Sequence, residues 1–177
     1  MATEDSLRRR KPVLWLTVTA LLMGLTVVLS MSVFSIPVPG GHLYFNDVVI
    51  DLAALLLDPF AAFLVGGVGA FLGDFFFYPA PMFVSLVTHG LQAVAISILS
   101  RRLFPGRKAL AGVIAVAVGA LIMVAGYTVG RAYVYSTPEY ALLKLPFQFL
   151  QAGVGAVLSV VLCYPMGLKK RFHTIVK

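Results

Sequence analysis

One arginine of this chain stands inside a long apolar stretch, apart from most of the other basic residues. Arg131 follows Gly126-Tyr127-Thr128-Val129-Gly130 and precedes Ala132-Tyr133-Val134-Tyr135. An ionisable group in an apolar span is costly and usually marks a cavity or a charged partner. Because a guanidinium matches a carboxylate through two parallel hydrogen bonds, Arg131 beside Tyr127 and Tyr135 predicts a pocket for an anion. The alternative, in which Arg131 snorkels to lipid headgroups and the tyrosines mark the interface, stays open.

A second group of polar residues is spaced for one helical face. His89 and Gln92 lie three apart, with Ser85 one turn earlier, and Gln148 and Gln151 are also one turn apart. Side chains three or four positions apart share a face of a helix. The stripe therefore predicts a polar cavity wall, although a lone histidine can equally be a packing residue. No second histidine stands at metal-ligand spacing, so we expect no metal site.

The acidic residues offer further candidates for a site. Asp47 and Asp51 are four apart and share one face, while Asn46 or Asp47 could instead cap a helix. Asp74 precedes three phenylalanines and is expected to line a cavity or, preferably, to pair with a cation. Asp58 precedes a proline, which predicts a turn residue at the water interface.

Several catalytic signatures are missing from the chain. It has no G-x-x-x-x-G-K-[ST] phosphate loop, so we expect no ATP hydrolysis by that route, and it has neither H-E-x-x-H nor G-x-S-x-G. One hypothesis from the enzyme class remains, a small integral-membrane protein that modifies lipids with His89 or Asp74 as general base. Another is a structural or assembly subunit with an empty polar interior.

Composition places these residues in a membrane. The chain is 60% hydrophobic and 12% charged, with a mean hydropathy of +0.95, whereas a soluble domain is about 25% charged. The net charge of +7 could indicate nucleic acid in a soluble protein, but here the basic residues flank apolar runs, which is typical of topology signals. Cys163 is the single cysteine, so no disulfide framework is possible.

Twelve of the 14 Lys and Arg residues form three clusters, and positive charge concentrates on the cytoplasmic side. The clusters are Arg8, Arg9, Arg10 and Lys11; Arg101, Arg102, Arg107 and Lys108; and Lys169, Lys170, Arg171 and Lys177. An even number of crossings must separate them. We therefore predict one all-α integral membrane domain over residues 1–177, with both termini cytoplasmic. The six predicted transmembrane helices are 12–34, 45–57, 59–77, 81–100, 109–133 and 146–168. Lys144 is then expected as a solvated residue of an outer loop.

Three segments resemble one family of membrane proteins, the substrate-binding S components of energy-coupling factor (ECF) vitamin transporters. The segments are Ala20-x3-Gly24, Phe45-Asn46-Asp47-Val48-Val49 with Ala53 to Pro59, and Gly66 to Asp74. The resemblance implies partners: a scaffold membrane subunit that docks on Ala20 and Gly24, and two ATPases that use ATP and Mg²⁺. It implies no cofactor in this chain and a location in a prokaryotic plasma membrane. We expect no nucleic acid partner, because the basic residues flank apolar runs. A vitamin would bind from outside, under the loop 35–44.

Within that family the chain most resembles the branch for pantothenate, pyridoxine and hydroxymethylpyrimidine. That branch often carries an acid where this chain has Arg131, so an anionic ligand is implied and pantothenate is favoured. The predicted ligand-binding residues are Arg131, Tyr127, Tyr135, Asn46, Asp47, His89, Gln92, Gln148 and Gln151.

Overall fold

The fold is a bundle of long helices capped at one end by a small β-hairpin. The computed structural model describes residues 5–176, so Lys177 of the third basic cluster lies outside the described residues. In chain order the elements are α1 (Asp5–Arg10), α2 (Pro12–Leu29), a 3₁₀ turn (Ser32–Phe34), β1 (Ile36–Val38), β2 (Gly41–Leu43), α3 (Asn46–Leu56), α4 (Pro59–Phe63), a π turn (Leu64–Val68), α5 (Gly69–Phe77), α6 (Met82–Arg102), α7 (Lys108–Gly130), a second π turn (Arg131–Tyr135), α8 (Pro138–Cys163) and α9 (Leu168–Val176).

Five helical segments in the described part of the chain are long and apolar enough to cross a membrane. They are Pro12–Leu29, Pro59–Phe77, Met82–Arg102, Lys108–Tyr135 and Pro138–Cys163. The sixth predicted span corresponds to α3, whose 11 residues extend about 16 Å and so cover roughly half of a 30 Å hydrocarbon core. The count of six crossings, and the side on which the termini lie, therefore remain predictions.

Although it is short, α3 runs along α2 from one end to the other. Near its start, Asn46 Nδ2 donates to Ser30 Oγ at 3.2 Å, at the end of α2. Just after its end, Asp58 accepts a hydrogen bond of 2.5 Å from Trp15 Nε1, near the start of α2. Nine of its 11 residues are buried. Asp58 is a turn residue, as predicted, but it is buried rather than set at the water interface.

Small residues let α5 approach α2 closely. A Cβ on Gly69 would lie 3.2 Å from Thr26 Cβ, and one on Gly73 would lie 2.6 Å from Ser30 Cβ. This pair therefore serves packing within the chain. Gly24 is different, because a Cβ there would meet nothing within 4 Å.

Three segments differ from the sequence prediction. The loop predicted over residues 35–44 contains the antiparallel hairpin β1–β2, in which Val38 pairs with Gly41 and Gly40 turns with φ +80°. The last long helix begins at Pro138 rather than at 146 and ends at Cys163 rather than at 168, with Pro146 inside it. Proline at the first helical position is a start signal, so the earlier start has a local cause. The first helix ends at Leu29, not at 34.

Candidate functional site

A polar cavity lies beneath the hairpin, where the ends of α3, α5, α7 and α8 meet. Its walls come from residues at helical spacing. Met123 and Tyr127 on α7 and Arg131 and Tyr135 in the second π turn follow one another at intervals of four, and those on α8 are three or four apart. The complete lining is Gly41, His42, Tyr44, Asn46, Asp74, Tyr78, Pro81, His89, Met123, Tyr127, Arg131, Tyr135, Lys144, Gln148 and Gln151.

Hydrogen-bonding groups without partners concentrate around this cavity. Four buried side-chain atoms of described cavity-lining residues lack a hydrogen-bond partner: Asn46 Oδ1, Arg131 Nε, Tyr135 Oη and Gln148 Oε1. Leaving such a group unsatisfied costs about 1–3 kcal/mol. The set offers two acceptors, one donor and one hydroxyl that can do either. It therefore complements a ligand that carries both donors and acceptors.

Two cations hold the hairpin over the cavity. Arg131 Nη1 donates to the Gly40 carbonyl at 2.7 Å, and Lys144 Nζ donates to the His42 carbonyl at 2.5 Å. The Arg131 guanidinium also lies over the Tyr135 ring, 5.2 Å from its centroid. The prediction of Lys144 as a solvated loop residue was wrong, because the side chain is 2% exposed. Because α8 begins at Pro138, eight residues earlier than predicted, Lys144 lies within the helix and lines the cavity.

The floor of the cavity is a network built around two carboxylates. Gln151 Nε2 donates to Asp47 Oδ2 at 2.6 Å, and Gln92 Nε2 donates to Asp51 Oδ1 at 2.9 Å and to Asp47 Oδ1 at 3.4 Å. Since both hydrogens of the Gln92 amide serve the carboxylates, its Oε1 accepts from His89 Nδ1, 2.7 Å away. The hydrogen bond therefore assigns a hydrogen to Nδ1 of His89. No side chain caps α3 at its first residues, so the capping alternative for Asn46 or Asp47 does not hold.

Gln151 also joins this floor to the hairpin, since its Oε1 accepts from the backbone N–H of Tyr44 at 3.2 Å. Burial, the nearby carboxylate of Asp74 and the Tyr78 hydroxyl raise the pKa of Tyr44 to about 12. The Tyr44 hydroxyl therefore stays protonated and neutral at physiological pH. The hairpin is thus tied to α7 and α8 through side chains and to the floor through one backbone bond.

A hydrogen-bonded chain runs along one wall of the cavity. Ser85 Oγ donates to Asp74 Oδ2, so Tyr127 Oη, 2.5 Å from Ser85 Oγ, must donate in turn to the serine. The Tyr127 ring packs edge-on to His89 with centroids 5.2 Å apart. The cation pairing preferred for Asp74 was wrong, because no described Lys or Arg nitrogen lies within 4.0 Å of its carboxylate.

The closed cavity is small. The space open to the centres of water molecules is about 50 Å³, which suits a few waters at roughly 10–15 Å³ each. Sites for drug-sized ligands reach several hundred Å³. Admission of such a ligand therefore requires the hairpin to move away from Arg131 and Lys144.

Seven of the nine residues predicted to bind ligand line the cavity: Asn46, His89, Tyr127, Arg131, Tyr135, Gln148 and Gln151. The other two, Asp47 and Gln92, lie in the floor network beneath it. The sequence argument missed Lys144, which stands four residues before Gln148 and seven before Gln151. That spacing continues the glutamine stripe and would have identified Lys144 if the helix had been started at Pro138.

Away from the cavity, Ala20 and Gly24 lie four apart on α2 and are both exposed. Only 17% of the α2 span is buried within the chain, compared with 28–44% of the other four. The helix thus presents most of its surface to its surroundings.

Comparisons with known proteins agree with this architecture. A family model described as "ECF-type riboflavin transporter, S component" matches residues 12–170. A Pyrococcus woesei protein named "Uncharacterized protein in gap 3'region" is 32% identical over 153 residues, covering 85% of this chain and 99% of the relative. A solved structure described as "Structure and mechanism of the S component of a bacterial ECF transporter" matches with a TM-score of 0.69 at 16% identity, over 89% of this chain and 97% of that one. At 16% identity the structural likeness shows the fold alone.

Proposed function

The chain belongs to the S-component family of ECF-type transporters, and we propose that it is the high-affinity vitamin-binding subunit of an uptake system in the cell membrane. The observation that carries this proposal is the group of four unsatisfied polar atoms around one cavity beneath a hairpin lid. A soluble ligand that pairs with these atoms would recover the free energy that they forfeit in the empty cavity. ATP hydrolysis would take place in two partner ATPases joined to a scaffold subunit.

The two cations at the lid favour an anionic vitamin, and we propose pantothenate. Arg131 and Lys144 supply two positive charges beside the hairpin, whereas the carboxylates of Asp74, Asp47 and Asp51 already accept hydrogen bonds from Ser85, Gln92 and Gln151. A ligand carboxylate would pair with the two cations. The amide and hydroxyl groups of pantothenate can donate to Asn46 Oδ1 and Gln148 Oε1. Pyridoxine and hydroxymethylpyrimidine can also pair with these two acceptors, but neither carries the negative charge.

Riboflavin is a second candidate, because the matching family model carries its name. Its ring system presents both donors and acceptors on one edge, as the four unsatisfied atoms require. It has no carboxylate, so the two candidates make different demands on the cations of the lid. That difference allows one experiment to separate them.

The test is calorimetry on the purified chain without ATP, with each of the four vitamins in turn. We expect nanomolar binding of one of them, near −12 kcal/mol. If none binds, the proposed function is wrong. If pantothenate is the ligand, Arg131→Ala should weaken it by roughly 1.5–5 kcal/mol.

A matched ligand separates charge recognition from closure of the lid. The alcohol analogue of pantothenate keeps every group except the carboxylate. Arg131→Ala loosens the lid for both ligands, so the part of the loss seen only with the acid is the contribution of the charge pair. An equal loss for acid and alcohol would remove Arg131 from carboxylate recognition.

For assembly we propose that the exposed face of α2 around Ala20 and Gly24 docks on the scaffold subunit. Small side chains let another helix approach closely, and the absence of neighbours within 4 Å of a Gly24 Cβ supports this. The lipid-modifying alternative has less support. Of the two candidate bases, His89 bonds Gln92 rather than a serine, and the Ser85 hydroxyl that donates to Asp74 is fully buried, where a lipid cannot reach it. Lipid turnover by the purified chain would revive that alternative.

A further inference from the structure

A second cavity lies at the end of the bundle opposite the hairpin. It offers about 590 Å³ to the centres of water molecules, more than ten times the space beneath the lid. The start of α4, the end of α6, the start of α7, the end of α8 and α9 surround it. Its lining is Asp58, Pro59, Ile98, Ser100, Arg101, Arg102, Lys108, Cys163, Tyr164, Gly167, Lys169, Lys170 and His173, and we call it the basic cavity.

Five cations face one carboxylate in the basic cavity. That carboxylate, on Asp58, already accepts from Trp15 Nε1 and from the backbone N–H groups of Phe60 and Ala61. Among the side chains that the structure describes, no carboxylate oxygen lies within 4.0 Å of Arg102, Lys108 or Lys170. The cavity therefore has a strong excess of positive charge.

Two further cations are fixed in the wall by backbone carbonyls. Arg101 donates to the carbonyls of Leu57 and Ser97, and Lys169 Nζ donates to the carbonyl of Leu55 at 3.0 Å. His173 Nδ1 lies 3.0 Å from the Lys169 carbonyl, which can only accept, so it donates there. Convergent cations in a preformed cavity suit a phosphate group, whose oxygens accept several charge-assisted hydrogen bonds.

The surroundings of the cavity favour a lipid as the source of the phosphate. Exposed apolar side chains lie close to its lining: Val161 (39% exposed) one helical turn before Tyr164 on α8, and Met166 (60%) beside Gly167 in the following turn. Acyl chains attached to a bound headgroup would find these surfaces beside it. Basic pockets between helices at the cytoplasmic face are typical sites for anionic headgroups.

We propose that the basic cavity binds the phosphate of an anionic phospholipid headgroup from the adjacent leaflet. The site is separate from the vitamin cavity and does not depend on which vitamin the chain binds. Arg102, Lys108 and Lys170 would contact the phosphate, and Arg101 and Lys169 would hold the shape of the cavity. A bound lipid would thereby bridge α6, α7 and α9.

The test compares two triple variants with the same loss of charge. R102Q/K108Q/K170Q removes the three contacting cations, whereas R9Q/R107Q/R171Q removes three exposed cations outside the lining. Each protein is purified in mild detergent, incubated with phosphatidylglycerol or phosphatidylcholine, and examined by native mass spectrometry. A third sample receives inorganic phosphate at the same concentration. The shift in thermal midpoint is measured for phosphate and for the lipids. Detergent removes the general attraction of a charged bilayer, so only a built site retains lipid.

We expect the unmodified chain and the control variant to retain one phosphatidylglycerol and no phosphatidylcholine. The site variant should bind it at least tenfold more weakly, since the loss of one charge-assisted hydrogen bond is worth about that factor. Equal losses in the two variants, or none, would overturn the proposal. So would stabilisation by inorganic phosphate equal to that by the lipid, which indicates a soluble anion. If no lipid binds and the site variant instead fails to co-purify with the partner subunits, the cavity is a protein-docking surface and the lipid proposal is wrong.

Discussion

The bond between Lys144 and the hairpin gives the sharpest test of the lid. Lys144→Met keeps the length of the side chain but removes the donor to the His42 carbonyl. A hydrogen bond to a charged group contributes about 1.5–3 kcal/mol. His42 is exposed, so water can reach its carbonyl once the lysine is gone. The loss should therefore fall near the lower end, about 1.5 kcal/mol, or roughly a tenfold increase in lid opening.

Hydrogen exchange measured by mass spectrometry reports the opening of the lid directly, because local opening sets the exchange rate of protected amides. Peptides covering residues 36–44 should exchange about tenfold faster in Lys144→Met, while those within 82–102 should not change. Removal of a buried charge also relieves its desolvation cost, so the thermal midpoint should stay the same or rise. Lys11→Met, at a partly exposed lysine outside both cavities, is the matched control. If the hairpin of Lys144→Met exchanges within twofold of the unmodified chain, Lys144 does not hold the lid.

Three further predictions concern the rest of the chain. Gly24→Leu should abolish co-purification with a scaffold subunit without lowering the thermal midpoint, and a large drop in the midpoint would contradict this. Gly73→Leu should instead destabilise the fold by about 1–3 kcal/mol, because α2 occupies the space beside Gly73. Asp58→Ala should cost about 2–4 kcal/mol through loss of the helix cap and of the Trp15 bond, and the fluorescence of Trp15, the single tryptophan, should change with it. Because the pKa of Tyr44 is raised to about 12 in the fold, its stabilising contribution is fully present below about pH 10 and is lost as the pH rises toward 12. Tyr44→Phe should therefore flatten the dependence of the thermal midpoint on pH in that range, and an unchanged slope would show that the Tyr44 hydroxyl is not responsible.

Most of the helical framework could be predicted from the sequence, because long apolar runs between charged clusters have few alternative structures in a membrane. The span Pro59–Phe77 agrees at both ends with its prediction. The polar stripe of His89 and Gln92 also lies inside the bundle, as its spacing required. Periodicity and composition suffice to predict a helix wherever one of its faces must be buried.

Two features could not be read in this way. The proline at 146 was interpreted as a boundary, yet it lies within α8, where neighbouring helices can tolerate the missing backbone bond. The hairpin escaped prediction because its strands have three residues each, and the side chains that bond it, Arg131 and Lys144, lie about 90 and 100 residues away. Contacts so distant in sequence leave no local pattern.

The lid and the proposed ligand draw on the same two cations, and the geometry allows both to be satisfied together. Arg131 uses Nη1 for the Gly40 carbonyl and keeps Nε without a partner. Lys144 uses one of its three N–H groups for His42, so two remain. A ligand carboxylate could therefore accept from both cations in addition to the two carbonyls. A whole vitamin needs more room than the roughly 50 Å³ of the closed cavity, so the lid would close over it in a wider position. The ligand carboxylate would also reduce the repulsion between two positive charges that converge on one short hairpin. An anionic ligand would then stabilise the closed lid, whereas a neutral one would leave that repulsion in place, so ligand charge and lid closure should be thermodynamically linked.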